Sequence, residues 1–482
     1  MRMHRRSRST GTSLDRRDFL AGLGPAAAAA LAMGRVPLVR ASDPLPAATA
    51  DCVVLLWMAG GMAHTETFDP KHYEPFRPGI EAKRVLSTFP AIDTSADGIR
   101  FTAGLEEMAS VMHEGTLIRT STVPVVDKIT HSKHQYHWHT GYLPPLSVAA
   151  PHIGAVIART LGPRHPDIPA FIDIGETFAE AGREAGAVRS FLSAGFLGAE
   201  YGPFSVPMPE DAARRLRGDD GRRQQVDERL KQFQALLAAS PTAELASSHQ
   251  QESILRSVEQ ACRLMHSPRA RAFDIAAEPK ETFATYDTGP FGRGCLLARR
   301  LVEAGARFIE VHVPYKPFGY WDTHEHGHGR TVTLKQMIDR PVARLIRDLR
   351  DRGLLDRTLV VLASEFSRDP LIEGKDEKRT KASEAAIAAV MQDERHYGMH
   401  AHFADAGSVL LWGGGMKRGF AYGETADEHP CKTVRDPVLL EDLHATIYAA
   451  LGIPATQSFT VERRPFYVTK DGKGVPIRRL FS

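Results

Sequence analysis

The stretch "YWDTHEHGHG" (Tyr320–Gly329) sets Asp322, His324, His326 and His328 just after an apolar run. Imidazole nitrogens and carboxylate oxygens are the ligands a zinc-type cation takes, and a more oxygen-rich shell suits Mn²⁺ or Ca²⁺. The same residue types recur elsewhere: Glu365 in "SEF", His400 and His402 in "GMHAHF", and His64, Glu66, Thr67 and Asp69 in "GGMAHTETFD". His131, His134, His137 and His139 follow one another in "THSKHQYHWHTGY". A divalent cation gathered among such groups, with Zn²⁺ the first expectation and Mn²⁺ or Ca²⁺ the alternatives, would polarise a phosphate or sulfate ester and activate water.

Each feature also has a bland reading. An Asp-x-His pair is common in any chain. Glu365 can cap a helix or pair with Arg368. The histidines from 131 to 139 have mixed spacing that suits an exposed loop, and His326 and His328 alternate with glycine as a flexible loop would. All four tryptophans fall inside these segments, and for Trp57 and Trp412 core packing is the expectation. Recurrence at the ends of strands is what lifts the set above its members.

The elements that must position these residues can be read from pattern. "CVVLLWMAGG" (Cys52–Gly61) is a short apolar run closed by glycines, the signature of a buried parallel strand ending in a tight turn. "TLIRTST", "IPAFIDIG", Arg307–Val313, "DRTLVVLASEF" and "GSVLLWGGG" are further strands. Ala150–Gly162 reads as a helix with Pro151 near its first turn and Gly162 after its end. Leu334, Ile338, Val342, Leu345 and Leu349 fall at helical spacing, with Pro341 expected to start or kink a helix there. A closing helix is expected in "DPVLLEDLHATIYAALGI", with Asp436 as N-cap and Pro437 at its first position. From about 209 to 282 the chain turns charged and helical, an insertion on the sheet. Strands alternating with helices imply a mostly parallel sheet covered on both faces, with ligands beyond the carboxyl ends of its strands.

Length and charge bound the function. The chain has 482 residues, 43% hydrophobic and 25% charged, the balance of an ordinary globular protein. Residues 1–41 carry eight arginines and two acids, so that segment is +6 and the remainder of the +3 chain is −3. Nothing there suggests a nucleic-acid-binding surface. "LDRRDFLAGLGPAAAAALAMG" places Arg16-Arg17 before a short, weakly apolar run, which reads as a twin-arginine export signal over residues 1–42. Periplasmic or extracellular location follows as an expectation, with no membrane-spanning segment once the signal is removed. Cys52, Cys262, Cys295 and Cys431 are too few and scattered for a disulfide framework, with Cys52 and Cys295 expected in the core.

Taken in order, "CVVLLWMAGGMAHTETFDPK", "HTGY", "PFGRGCLLARRLVEAGARFIEVHV", "WDTH", "GLLDRTLVVLASEFSR", "SVLLWGGGMKRGFAYGET" and "DLHATIYAALGI" resemble the family called domain of unknown function 1501, over nearly all of the chain from about 50 to 482. Its members are abundant in planctomycete-type bacteria and usually carry twin-arginine signals. The family looks like a branch of the alkaline phosphatase and sulfatase superfamily. The resemblance implies an alkaline-phosphatase-like α/β sandwich, a mostly parallel central sheet with helices on both faces and a helical insertion. It implies Asp322 and His324 as ligands after a late strand, Glu365 in the place of a ligand aspartate, and His402 as the final histidine ligand. The chain departs from the family's pattern at Ala401, where the segment usually has Asp, at Glu66, where Asp is common, and at Phe366, where the superfamily places a histidine. A nucleophilic hydroxyl is expected at a helix start, from Thr67, Thr130 or Ser132. His131 or His134 would steady the anionic group or protonate the leaving oxygen.

The leading expectation is an exported metal-dependent hydrolase of phosphate or sulfate esters, acting on an anionic ester such as a sulfated or phosphorylated glycan. The alternative is a non-catalytic exported protein that keeps the fold to bind glycan or build the cell envelope. A phosphomutase-like activity is a third reading, on fold analogy alone.

Overall fold

The structure, a computed structural model, describes residues 47–125, 128–144, 148–176, 191–216, 248–371, 390–461 and 463–482, with helical positions at 224, 227–228, 230–232 and 234–235. The expected export signal and most of the charged stretch from 217 to 247 lie outside the described residues. A central sheet of eight strands organises the rest: β1 (Cys52–Met58), β2 (Gly115–Ile118), β3 (Phe171–Ile174), β4 (Phe204–Val206), β5 (Phe308–Val313), β6 (Thr358–Ala363), β7 (Val409–Trp412) and β8 (Phe420–Tyr422). Their spatial order is β8-β2-β7-β6-β1-β5-β3-β4. Every neighbouring pair is parallel except the two that flank β7, so β7 alone is reversed.

β1 is central and buried at every position, which is why its sequence is continuously apolar rather than alternating. Its odd and even side chains feed two cores on opposite faces. Val54, Leu56 and Met58 join the cluster that includes Leu297, Ile338 and Leu349, from helices α3 (Pro290–Ala304) and α4 (Gly327–Asp351). Val53, Leu55 and Trp57 join the cluster with Trp138, Ile157 and Ile447, from α1 (His131–Thr140), α2 (Ile153–Leu161) and α5 (Leu440–Ala450). The mostly parallel α/β sandwich expected from the sequence is the architecture found. All four tryptophans are buried, and all four cysteines are buried free thiols. In the charged segment the described helices are Pro209–Leu216, Ser248–His266 and Lys280–Tyr286. Among the described residues, no helix is long and apolar enough to cross a membrane.

Three local expectations need correction. Helix α4 does not start at Pro341 but runs through it. Proline removes the N–H that would bond the carbonyl four residues earlier; that carbonyl, of Met337, instead accepts the Thr288 hydroxyl at 2.6 Å. The closing helix begins at Leu440, not at Pro437, and Asp436 does not cap it. Val438 is held as extended chain beside Thr120–Thr122: its N–H bonds the Thr120 carbonyl at 2.9 Å and its carbonyl accepts the Thr122 N–H at 2.9 Å. The stretch from His131 to Thr140 is neither exposed nor a loop but the buried helix α1.

Candidate metal centre

The three adjacent strands β6, β1 and β5 end at one edge of the sheet, and the loops that leave them carry the polar residues. β1 runs into Gly60 and Gly61. Gly60 has φ +123°, and a Cβ built on it would sit 2.5 Å from the Asp322 nitrogen, so only glycine lets the loop after β5 lie against this turn. β5 leads to Trp321, Asp322, Thr323 and His324. β6 leads to Ser364, Glu365 and the short strand Ser367–Asp369, which pairs antiparallel with Ala401–Phe403 and sets Arg368 opposite His402. α1 brings His131 from the other side.

These segments bring His131, Asp322, His324 and His402 together with one ligand atom from each within 4.8 Å of the others. The Asp322 Oδ1 atom is 2.8 Å from His324 Nε2 and 3.1 Å from His131 Nε2. The His131 and His402 rings meet edge to face at 4.6 Å, and those of His324 and His402 at 5.4 Å. The opposite edges of two rings are fixed. His131 Nδ1 lies 2.7 Å from Glu365 Oε1, and His402 donates its Nδ1–H to the Ile129 carbonyl at 3.0 Å. Holding one ring nitrogen as a donor to a carboxylate or carbonyl sets the tautomer that presents the other nitrogen's lone pair, the arrangement found behind metal-bound histidines. Three imidazoles and one carboxylate are a donor set that fits Zn²⁺.

Arg368 ties the loops into one piece. It is fully buried, and its guanidinium donates to the carbonyls of Gly60, Gly61, Trp321, Thr323 and His400 and to Asp322 Oδ1. Asp322 Oδ2 accepts the Phe318 N–H at 2.7 Å. Burial alone would raise the Asp322 carboxyl, but the hydrogen bonds from His131 and His324 and the Arg368 charge hold it far below the usual range. Burial likewise opposes charge on His131; its bonds to Asp322 and Glu365 win and push it up to about 9. His402, buried near the His131 and Arg368 charges, is pushed down to about 2.

Of the residues expected as ligands, Asp322, His324 and His402 meet here. Glu365 stands one layer back: besides His131 it accepts the Gly60 N–H at 2.9 and 3.1 Å, one bond to each oxygen. His131, expected to act on the ester, takes the fourth place in the group. His134 bonds the Thr130 carbonyl at 2.8 Å and lies 3.3 Å from that of Pro124. The Thr67 hydroxyl donates to the Ala63 carbonyl at 2.8 Å, and Ser132 sits half-buried on the first turn of α1. Thr130 is the N-cap of α1 but its side chain does not cap; its Oγ is buried and, among the described residues, has no hydrogen-bond partner. His326 and His328 begin α4, where His328 stacks on Phe89 at 4.4 Å. Sequence reasoning missed the role of Arg368, read only as a partner for Glu365. A lone arginine right after a buried strand end was its one signal.

The chain belongs to the family described as "Protein of unknown function (DUF1501)", whose model matches residues 50–481. No curated protein matches its sequence. Solved structures similar to it include the lipoteichoic acid synthase LtaP from Listeria monocytogenes, at 9% identity and TM-score 0.35, over 89% of this chain and 77% of that one. A protein in the alkaline phosphatase superfamily from Vibrio parahaemolyticus matches at 11% and 0.34, over 84% and 67%. The alkaline phosphatase of the Antarctic bacterium TAB5 matches at 14% and 0.30, over 77% and 95%. At these identities and scores, function must be read from the chain's own side chains.

Proposed function

We propose that the protein is an exported, metal-dependent hydrolase of phosphate or sulfate esters. The observation that carries this is the convergence of His131, Asp322, His324 and His402, with two of the rings backed by Glu365 and the Ile129 carbonyl. A bound divalent cation, Zn²⁺ by the donor set, would supply Lewis acidity toward an anionic ester. The chain supplies the rest. Arg368 and Asp322 lock the loops that carry the ligands. Thr130 supplies the attacking hydroxyl: it sits at the start of α1 between Ile129, whose carbonyl holds His402, and His131, and its buried Oγ makes no hydrogen bond among the described residues. The amide end of α1 favours an anion at that point. Ser132, two residues further on in the first turn of α1, is the second candidate, and Thr67 is the weaker choice because its proton is committed to Ala63. The ester's organic part, a sulfated or phosphorylated glycan among the choices, is set by the assay below.

Aryl phosphates and aryl sulfates with Zn²⁺, Mn²⁺ or Ca²⁺ added to chelator-stripped protein provide the test. Metal-dependent turnover, lost in Thr130→Val and retained in part in Thr130→Ser, is expected. Glycan binding that ignores chelator, with no turnover of any ester, would establish the non-catalytic alternative, which the departures at Ala401 and Phe366 favour. Export through the twin-arginine route predicts that replacing Arg16-Arg17 by lysines leaves the protein in the cytoplasm; unchanged export would remove that part.

A further inference from the structure

A second group of imidazoles and carboxylates lies at the other end of α1. His139, His152 and Glu310 place ligand atoms within 4.8 Å of one another and are fully buried. Glu310 Oε1 is 2.8 Å from His139 Nε2, and its Oε2 is 3.0 Å from His152 Nε2. His312 lies beside them, 3.4 Å from Glu310 Oε1 and bonded to Asp173 on β3.

The hydrogen bonds on the far side of each ring decide what this group is. His139 donates its Nδ1–H to the Gln135 carbonyl at 2.8 Å. His152, the N-cap of α2, does the reverse: its Nδ1 accepts the Gly154 N–H at 2.9 Å, so its Nε2 carries the proton. A ligating nitrogen must offer a lone pair, and His152 offers an N–H. His152 therefore offers no ligand atom, and the bond that ties the group together is the one from His139 Nε2–H to Glu310 Oε1; His152 Nε2 and Glu310 Oε2, 3.0 Å apart, touch without hydrogen-bond alignment.

What that bond clamps is α1. That helix, "HSKHQYHWHT", has no apolar stripe, yet seven of its ten residues are buried. Beside the packing of Trp138 on Trp57 of β1 at 4.7 Å, its hold is polar: His139 on Glu310 of β5, and His444 Nε2–H of α5 on the Trp138 carbonyl at 2.7 Å. Phe191 stacks on the His139 ring at 4.6 Å and Trp57 meets its edge at 4.5 Å, which fixes the ring's plane but not its height along β5. The bond to Glu310 fixes that height. His131 is eight residues earlier on the same helix, about 12 Å away at the usual rise. We propose that Glu310 is a positioning residue for the metal centre: by pinning His139 it sets where His131 stands among Asp322, His324 and His402. This role presupposes the centre proposed above.

The test compares Glu310→Leu and Glu310→Gln with Ile338→Ala, a cavity in the opposite core, for Zn²⁺ affinity by chelator competition, at a temperature where circular dichroism shows all folded. Metal per chain is counted in each. Glutamine keeps an oxygen that accepts from His139 Nε2–H, so its affinity should stay within about threefold of wild type. Leucine removes that acceptor, and the affinity should fall by about tenfold or more, the size seen when support behind a ligand is removed. Ile338→Ala should melt earlier with affinity unchanged. Unchanged affinity in Glu310→Leu overturns the positioning role. So does a second ion per chain that this variant loses, which would make the cluster itself a metal centre. Wild-type protein that binds no ion overturns the centre, and the role with it.

Discussion

Replacing Glu365 by glutamine isolates one bond behind the candidate centre. Glu365 is fully buried and serves three partners: His131 Nδ1 at 2.7 Å, the Gly60 N–H at 2.9 and 3.1 Å, and the Ser364 hydroxyl at 3.1 Å. A glutamine Oε1 can still accept from His131 and, at the shorter of its two bonds, from Gly60, so the turn after β1 stays in place; the negative charge behind His131 is lost, together with the acceptor of the longer Gly60 bond and of the Ser364 hydroxyl. Supporting carboxylates of this kind are worth about 10–100-fold in metal affinity, or about 1.4–2.7 kcal/mol. Because glutamine keeps a neutral acceptor, the loss should fall near the lower figure. Glu365→Ala goes further and leaves a buried ring N–H and a buried amide N–H without acceptors, at about 1–3 kcal/mol each, so the upper figure or beyond is expected. Zn²⁺ titration of metal-free protein by calorimetry, against His324→Ala as the null, measures both. Wild-type affinity in Glu365→Gln would refute the claim that Glu365 acts through His131. Complete loss in Glu365→Gln, equal to that of His324→Ala, would refute it from the other side, since Glu365 would then be a ligand itself.

Other expectations follow from the same geometry. Gly60→Ala puts a Cβ 2.5 Å from the Asp322 nitrogen at φ +123°, and should lower stability by about 3 kcal/mol and weaken metal binding. Gly79→Ala, with φ +87° and open space around it, should cost only about 1 kcal/mol by urea unfolding; equal losses in the two would mean the contact with Asp322 does not matter. Acid should destabilise the fold below pH 6.5. Burial, reinforced by nearby histidines, pushes His444 and His137 down to about 3, while the unfolded chain takes up protons near 6.5. The unfolded state thus binds more protons between those values, and stability falls as pH drops, by about 1.4 kcal/mol per pH unit for each group. His312, pushed up to about 9 by Glu310 and Asp173 against the effect of burial, stays protonated in the fold and offsets that slope only close to pH 6.5, where the unfolded imidazole is still half-protonated. Melts from pH 6.5 to 5 check this, and His444→Gln should show a shallower slope; a flat melting temperature in wild type would contradict it.

The sheet was readable because its strands are buried on both faces and its turns need glycine: β1, β5 and β6 stand out as apolar runs closed by small residues. Three of the four clustered side chains could be named because they follow or precede those runs. α1 could not be read. Its polar sequence has no helical stripe, and its burial depends on His139–Glu310 and His444–Trp138, contacts between residues 171 and 306 positions apart. His131 was accordingly assigned to the ester rather than to the group it joins, and the setback of Glu365 was invisible because it depends on how far the Gly60 amide projects. The start of α5 was misplaced for a related reason: Asp436-Pro437 is a good local helix start, but pairing with Thr120–Thr122 keeps Val438 extended. Local preference was outvoted by long-range contacts at each of these places.

The central claim is that His131, Asp322, His324 and His402 hold one cation. Its most direct test is an anomalous difference map from crystals of the protein grown with Zn²⁺, recorded on both sides of the zinc absorption edge. One peak about 2.0–2.2 Å from three imidazole nitrogens and an Asp322 oxygen is the expected result. A map without a peak there, or with its peak at His139 and Glu310, would contradict it.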